Sequence, residues 1–201
     1  MRSIFLALTL LFCTMASAEP VPSTADAVAN VLRLGGKVEY EGGDSSLPVI
    51  KIDLSRSEAT DQDLETLGAF KHLQALDLRM TRVSDAGMGH VGALRTLKQL
   101  NLFRTVISDN GLARLQSLKD LEVLLIGGTK ITDRGMSLLE PMSALRKLSV
   151  FDTQVGDEGA RKLSRMASLK IILLDRSQIS SEGRSLLEAA LPGVSFGESV
   201  I

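Results

Sequence analysis

One cysteine and two histidines in 201 residues exclude whole classes of chemistry. The single thiol, Cys13, rules out an internal disulfide and a cysteine-based structural zinc site. His72 and His90 cannot make a three-histidine metal centre within one chain. No sign of charge dominates, since 23 Lys and Arg stand against 24 Asp and Glu. A balanced chain without a basic tail has nothing to draw in a nucleic acid by long-range attraction. Long apolar runs are missing beyond the N-terminus, so no later stretch reads as transmembrane. The length, with 44% apolar and 23% charged residues, fits one soluble domain.

The N-terminus reads as an export signal. Met1-Arg2-Ser3 is a short positive region, Ile4 to Phe12 is apolar, and Ala16-Ser17-Ala18 supplies small residues before a cut at Glu19. Nine residues are too few to span a bilayer. A lipoprotein signal ending at Cys13 ranks lower, because Phe12 stands where such sites carry a small residue. Removing residues 1–18 takes away Arg2 and the only cysteine. The mature chain is then expected in the periplasm or secreted, held together by packing alone and with no membrane insertion.

Leucine is abundant, at 34 residues, and its spacing is regular. From Val49 the pattern restarts every 24 residues, at Leu73, Leu97, Leu121, Leu145 and Leu169. Each period opens apolar-x-x-apolar-x-apolar, as in Leu73, Leu76, Leu78 and Leu97, Leu100, Leu102. Eight positions after each start is a hydroxyl residue: Ser57, Thr81, Thr105, Thr129, Thr153, Ser177. Thr60-Asp61, Ser84-Asp85, Ser108-Asp109 and Thr132-Asp133 follow, becoming Gly156-Asp157 and Ser180-Ser181 in the last two periods. Gly87, Gly111, Gly135, Gly159 and Gly183 complete the pattern.

Each position has a mechanical reading. The alternating stretch is a short strand. The hydroxyl column satisfies backbone groups inside the following turn. Ser or Thr before Asp is a helix N-cap, with the aspartate in the first turn. Leu64, Leu67, Phe70 and Leu112, Leu115, Leu118 make one apolar helix face. The recurrent glycine implies close approach to the backbone of the neighbouring coil.

The consensus Leu-x-x-Leu-x-Leu-x-x-Thr-x-Ile/Val-Ser/Thr-Asp-x-Gly resembles the cysteine-containing or ribonuclease-inhibitor-like class of leucine-rich repeats, as found in exported bacterial proteins. The resemblance implies an α/β fold, a right-handed leucine-rich-repeat solenoid or horseshoe arc, with a parallel concave sheet and convex helices. Thr81, Thr105, Thr129 and Thr153 stand where the class often has Cys or Asn, and no F-box-sized segment precedes residue 49. The expected organisation is a signal peptide at 1–18, a flexible leader at 19–24, and a capping helix and strand at 25–48. Six repeats at 49–192 and an abbreviated strand and tail at 193–201 complete it.

In such a solenoid the residues two, four and six after each start face out of the concave sheet. The first repeats place Lys51, Asp53, Asp77 and Arg79 there, while later ones place Phe103, Val123, Leu125, Phe151, Ile171 and Leu173. Six exposed apolar residues in one patch point to a protein partner, with Asp77 or Arg79 fixing one end. The competing expectation is a structural scaffold whose sheet hides these side chains against one another.

No set of residues supports catalysis. His72 and His90 read as surface side chains, and Asp61, Asp85, Asp109, Asp133 and Asp157 as first-turn helix residues rather than calcium ligands. Asp53 and Asp77 read as a solvated pair lacking a third acid or a lid. The chain is therefore expected to be no enzyme and to need no cofactor or metal. Nothing in the repeats specifies an oligomeric state.

Overall fold

The computed structural model describes residues 23–197. The expected signal at 1–18, residues 19–22 of the leader and the last four residues lie outside them. Among the described residues, one sheet runs β1 (Lys37–Tyr40), β2 (Val49–Asp53), β3 (Ala75–Asp77), β4 (Gln99–Asn101), β5 (Val123–Leu125), β6 (Lys147–Ser149), β7 (Ile171–Leu173) and β8 (Ser195–Phe196), in chain order. From β2 to β8 every pair is parallel, and Lys51, Ala75, Gln99, Val123, Lys147, Ile171 and Ser195 stand side by side. Strand β1 instead pairs antiparallel with β2 and covers that edge.

Parallel neighbours need a crossover, and here each crossover is the rest of the repeat. The convex elements are a 3₁₀ helix at Gln62–Ala69, then α2 (Met88–Gly92), α3 (Asp109–Ala113), α4 (Asp133–Met136), α5 (Asp157–Leu163) and α6 (Ser181–Ala190). Ahead of the sheet, α1 (Thr24–Arg33) starts with a reciprocal capping box between Ser23 and Asp26. It sets Ala27 and Val31 into the core, and Arg33 pairs with Asp63 at 2.9 Å on the first crossover.

The core lies between sheet and crossovers. Leu76, Leu100, Leu124, Leu148 and Ile172 point into it from the strands, and Leu64, Leu67, Leu112, Leu115 and Leu163 meet them from the convex side. All are buried because they occupy the inward positions of the 24-residue pattern. The threonine column behaves as read from the sequence. Thr81, Thr105, Thr129 and Thr153 are buried, and each hydroxyl donates to the carbonyl three residues earlier, at 2.6–2.8 Å.

Two local expectations need correction. The first crossover is a 3₁₀ helix without a side-chain cap, and its Asp63 carboxylate accepts from the Thr60 N–H and hydroxyl at 3.0 and 2.8 Å. The repeated aspartates do more than sit in a helix field: each accepts from the following coil. Asp61 Oδ1 and Oδ2 take the Ser84 N–H and hydroxyl at 2.8 and 2.5 Å, and Asp85 takes those of Ser108 at 2.7 and 2.5 Å. Asp109 with Thr132 and Asp157 with Ser180 repeat the bond pair. At Gly156 there is no hydroxyl, and Asp133 takes the N–H groups of Gly156 and Gly159 at 2.7 and 2.9 Å. The Ser180 N–H and hydroxyl hold the Asp157 carboxyl below its ordinary range.

This ladder also explains the recurrent glycine. A Cβ at Gly87, Gly111, Gly135, Gly159 or Gly183 would run into the aspartate Oδ1 of the preceding coil. The close neighbour is a carboxylate, not the backbone expected from the sequence.

Candidate protein-binding face

The concave surface consists of three columns in strict register. The first is Lys51, Ala75, Gln99, Val123, Lys147 and Ile171, and the second is Asp53, Asp77, Asn101, Leu125, Ser149 and Leu173. The third is Ser55, Arg79, Phe103, Gly127, Phe151 and Asp175, just past the strand ends. The predicted residues Asp77, Arg79, Phe103, Val123, Leu125 and Ile171 thus share one face.

The polar members of the second column are tied to the backbone. Asp53 Oδ1 accepts from the Ser55 N–H at 2.8 Å, Asp77 Oδ1 from the Arg79 N–H at 2.9 Å and Asn101 Oδ1 from the Phe103 N–H at 3.1 Å. These side chains close the turn that ends each strand, a local pairing Asx residues favour. Asp77 is further bound by Asn101 Nδ2 at 3.2 Å and lies 3.5 Å from Arg79 Nε. Its side chain is only 25% exposed, so the expectation of a solvated acid pair is corrected. Burial pushes the Asp77 carboxyl above its ordinary value and the Asp53 charge adds to this, with hydrogen bonds and Arg79 offsetting only part. Burial raises Asp53 as well, but its bonds from Ser55 and the charges of Arg79 and Lys37 win, and its carboxyl is held low.

The apolar end departs further from expectation. Phe151 and Leu173, predicted to be exposed, are buried at 4% and 7%. Phe103, Val123, Leu125 and Ile171 are half-buried. Gly127 supplies the reason for Phe151, because it leaves a gap in the third column. Phe103 and Phe151 lean across that gap to a centroid distance of 6.1 Å with a tilt of 44°. A Cβ at Gly127 would stand 3.0 Å from the Phe103 ring and 2.9 Å from the Phe151 carbonyl. Near Leu173 the chain returns after β8, where a Cβ at Gly197 would stand 2.9 Å from the Leu173 Cδ2. Arg104 stacks on the Phe103 ring and Arg176 on the Phe151 ring, at 5.2 and 5.8 Å from the centroids.

Where the charged and apolar parts meet, the face dips into a shallow open cavity of about 150 Å³. Lys51, Ala75, Asp77, Gln99, Asn101, Val123 and Leu125 line it. It offers the half-buried Asp77 carboxylate and the amides of Gln99 and Asn101 beside the aliphatic side chains of Val123 and Leu125. His72 and His90 are exposed. Among the described residues no group of three or more His, Cys, Asp or Glu is placed to hold a metal, and no helix is long and apolar enough to cross a membrane.

Coil, rung and convex crossover define an α/β repeat solenoid with an open concave sheet. A family model described as "Leucine Rich repeat" matches residues 71–89, 93–115 and 143–164, which supports a leucine-rich-repeat family for this chain. An internalin, inlF, from Listeria monocytogenes is similar in structure, with a TM-score of 0.54 and 18% identity over 84% of this chain and 54% of that one. Internalin C2, inlC2, of the same organism is 23% identical, with a TM-score of 0.47 over 57% of this chain and 45% of its own. The chain thus spans about half the length of these two structures. At such identity the likeness to inlF concerns the fold, and the fold is a leucine-rich-repeat solenoid. No curated protein matches the sequence.

Proposed function

We propose that the chain is an exported, non-catalytic protein that holds a protein partner across its concave face. Asp77, Arg79, Phe103, Val123, Leu125 and Ile171 make the contact surface, and Phe151 and Leu173 support it from beneath. The observation that carries this reading is the change of chemistry along a constant register. Lys51, Asp53 and Asp77 give way to Val123 and Leu125, with the cavity at the change. Leucine-rich repeats commonly mediate protein interaction, and the concave surface of a solenoid is a long binding platform. Export rests on the tripartite segment at 1–18, and the ribonuclease-inhibitor-like assignment on the repeat consensus.

The burial of Phe151 and Leu173 favours a second reading, in which the sheet is a scaffold with no dedicated ligand. A photo-crosslinking residue placed at Val123 in the native host separates the two. The binding reading expects a defined protein adduct at Val123 and none with the same residue at the exposed Arg95. It also expects loss of that adduct in Leu125→Asp, which leaves the inward leucines untouched. No adduct, or equal adducts at both positions, overturns it. N-terminal sequencing of the exported product should begin at Glu19.

A further inference from the structure

Beside the concave face runs the rim where the chain leaves each strand. One column there is Arg56, Met80 and Arg104, all in the left-handed region with φ of 59°, 57° and 53°. The backbone bonds Arg56 N–H to Arg79 C=O and Met80 N–H to Phe103 C=O repeat from rung to rung, so these side chains leave the coil alike. Two residues on is a second column, Arg82, Val106 and Lys130, bonded to the preceding coil at Ala59, Val83 and Ile107.

In each column an apolar side chain stands in water between two cations on adjacent rungs. Met80 is 41% and Val106 51% exposed, and neither belongs to the core cluster. Arg82 is paired with Glu58 at 2.8 Å. Arg56, Arg104 and Lys130 have no carboxylate within ion-pairing distance among the described residues. Arg104 is also held in place: it stacks on Phe103, and its stem crosses Gly128, where a Cβ would stand 2.8 Å from Arg104 Cγ. Over the first four coils these two columns hold four cations, Arg56, Arg82, Arg104 and Lys130, against the one anion Glu58, before Asp152 and Arg176 extend the first column. This stretch of the rim is therefore basic on a chain whose formal charge is −1.

We propose that the rim docks an acidic protein segment with apolar side chains, whose carboxylates meet Arg56, Arg104 and Lys130 while its apolar groups cover Met80 and Val106. Charge complementarity names the occupant. Guanidinium groups prefer carboxylates that can accept two bonds, and a stacked arginine loses less freedom in binding them. Met80 and Val106 at the centre of the columns favour a segment that is not uniformly charged. Arg56 and Arg104 lie two rungs apart, about 10 Å, which matches carboxylates three residues apart on one face of a polyproline II-type chain, with its three residues per turn and a rise of about 3.1 Å each. This surface is independent of the concave-face reading.

The probe is a fluorescent capped peptide, Gly-Glu-Leu-Gly-Glu-Leu-Gly-Glu, read by anisotropy at low salt against the mature protein. Binding should weaken as salt rises. It should fall roughly tenfold or more in the double variant Met80→Glu, Val106→Glu, and several-fold when the leucines of the peptide become glycine. Met80→Ala with Val106→Ala gives a milder loss and keeps the test open if the charged pair disturbs folding. Val123→Asp should bind like wild type. No binding by wild type, equal binding of a peptide with Gln in place of Glu, or loss confined to Val123→Asp would overturn the proposal. So would capture by phosphatidylglycerol vesicles without capture of the peptide.

Discussion

The concave sheet and the ladder joining the coils beside it run on one 24-residue register, yet they treat variation in opposite ways. Along the ladder, Asp61, Asp85, Asp109, Asp133 and Asp157 each accept from the next coil, and four of their five partners are Ser or Thr. The glycine column facing those carboxylates is unbroken from Gly87 to Gly183. Across the sheet, the second column changes from Asp to Asn, Leu and Ser with no loss of pairing. A column in which every rung needs the same atom is structural. A column that tolerates different chemistry on a constant backbone is free to be shaped by what it meets.

The sharpest way to break the comparison is to damage a column that should not vary. Leu124 is fully buried between neighbouring coils, and Leu124→Ala should cost on the order of 2–5 kcal/mol through lost transfer energy and the cavity left behind. A urea midpoint equal to wild type would remove Leu124 from the core. Val123→Asp, on the adjacent outward position, should leave the midpoint near wild type.

Next in size is the ladder itself. Gly111→Ala pushes a methyl group toward the Asp85 carboxylate, with Met88 Cγ at 3.1 Å on the other side, and should cost about 1–3 kcal/mol as an overpacked site. The same change made in Asp85→Ala should cost clearly less, because the obstructing carboxylate is gone. A double-mutant cycle measures this coupling. Additive losses would show that the glycine answers to its own backbone and not to the aspartate.

Smaller again is the turn column. Thr129→Val keeps the volume but leaves the Ile126 carbonyl without its 2.6 Å donor, a loss of about 1–2 kcal/mol in denaturant stability. Unchanged stability would mean that the carbonyl is satisfied without the hydroxyl.

These columns differ in how far they could be read from the residues. Strand, inward leucines and threonine turn are local or strictly periodic, so alternation and the 24-residue repeat suffice to place them. The Asp–Gly contact spans two coils: Gly87 answers to Asp61, and only the fixed offset between the two columns hints at it. The burial of Phe151 is not legible from alternation, because it depends on what a neighbouring rung lacks, and Gly127 stands in the same column. Alternation alone reads Asp77 as one of a solvated pair with Asp53, whereas an Asx residue at a strand end closes the turn. Outward positions on a curved sheet are half in contact with each other, and alternation does not report that.

The smallest effect sets the Asp77 carboxylate of the sheet against Asp63 of the first crossover, beside the start of the ladder, through pH. Asp63, on the first crossover, has its carboxyl pushed up by burial, but Thr60 and Arg33 outweigh this and hold it below its ordinary range. Its stabilising contribution is present above the carboxylate pKa of the unfolded chain and is lost as pH falls through the lowered folded value. Asp77, on the sheet, is shifted the other way by burial and by Asp53. Its contribution is fully present below the unfolded value and is lost as pH rises through the raised folded one. Asp63→Asn should therefore destabilise most near neutrality and progressively less in acid. Asp77→Asn should be tolerated best near neutrality, where it removes a half-buried charge, and should lose that advantage as the wild-type carboxyl protonates. Urea midpoints of both variants and wild type from about pH 3 to pH 7 give two difference curves of opposite slope. Parallel curves would mean that Asp77 is as well served by its neighbours as Asp63, and the concave acid would then be another structural column.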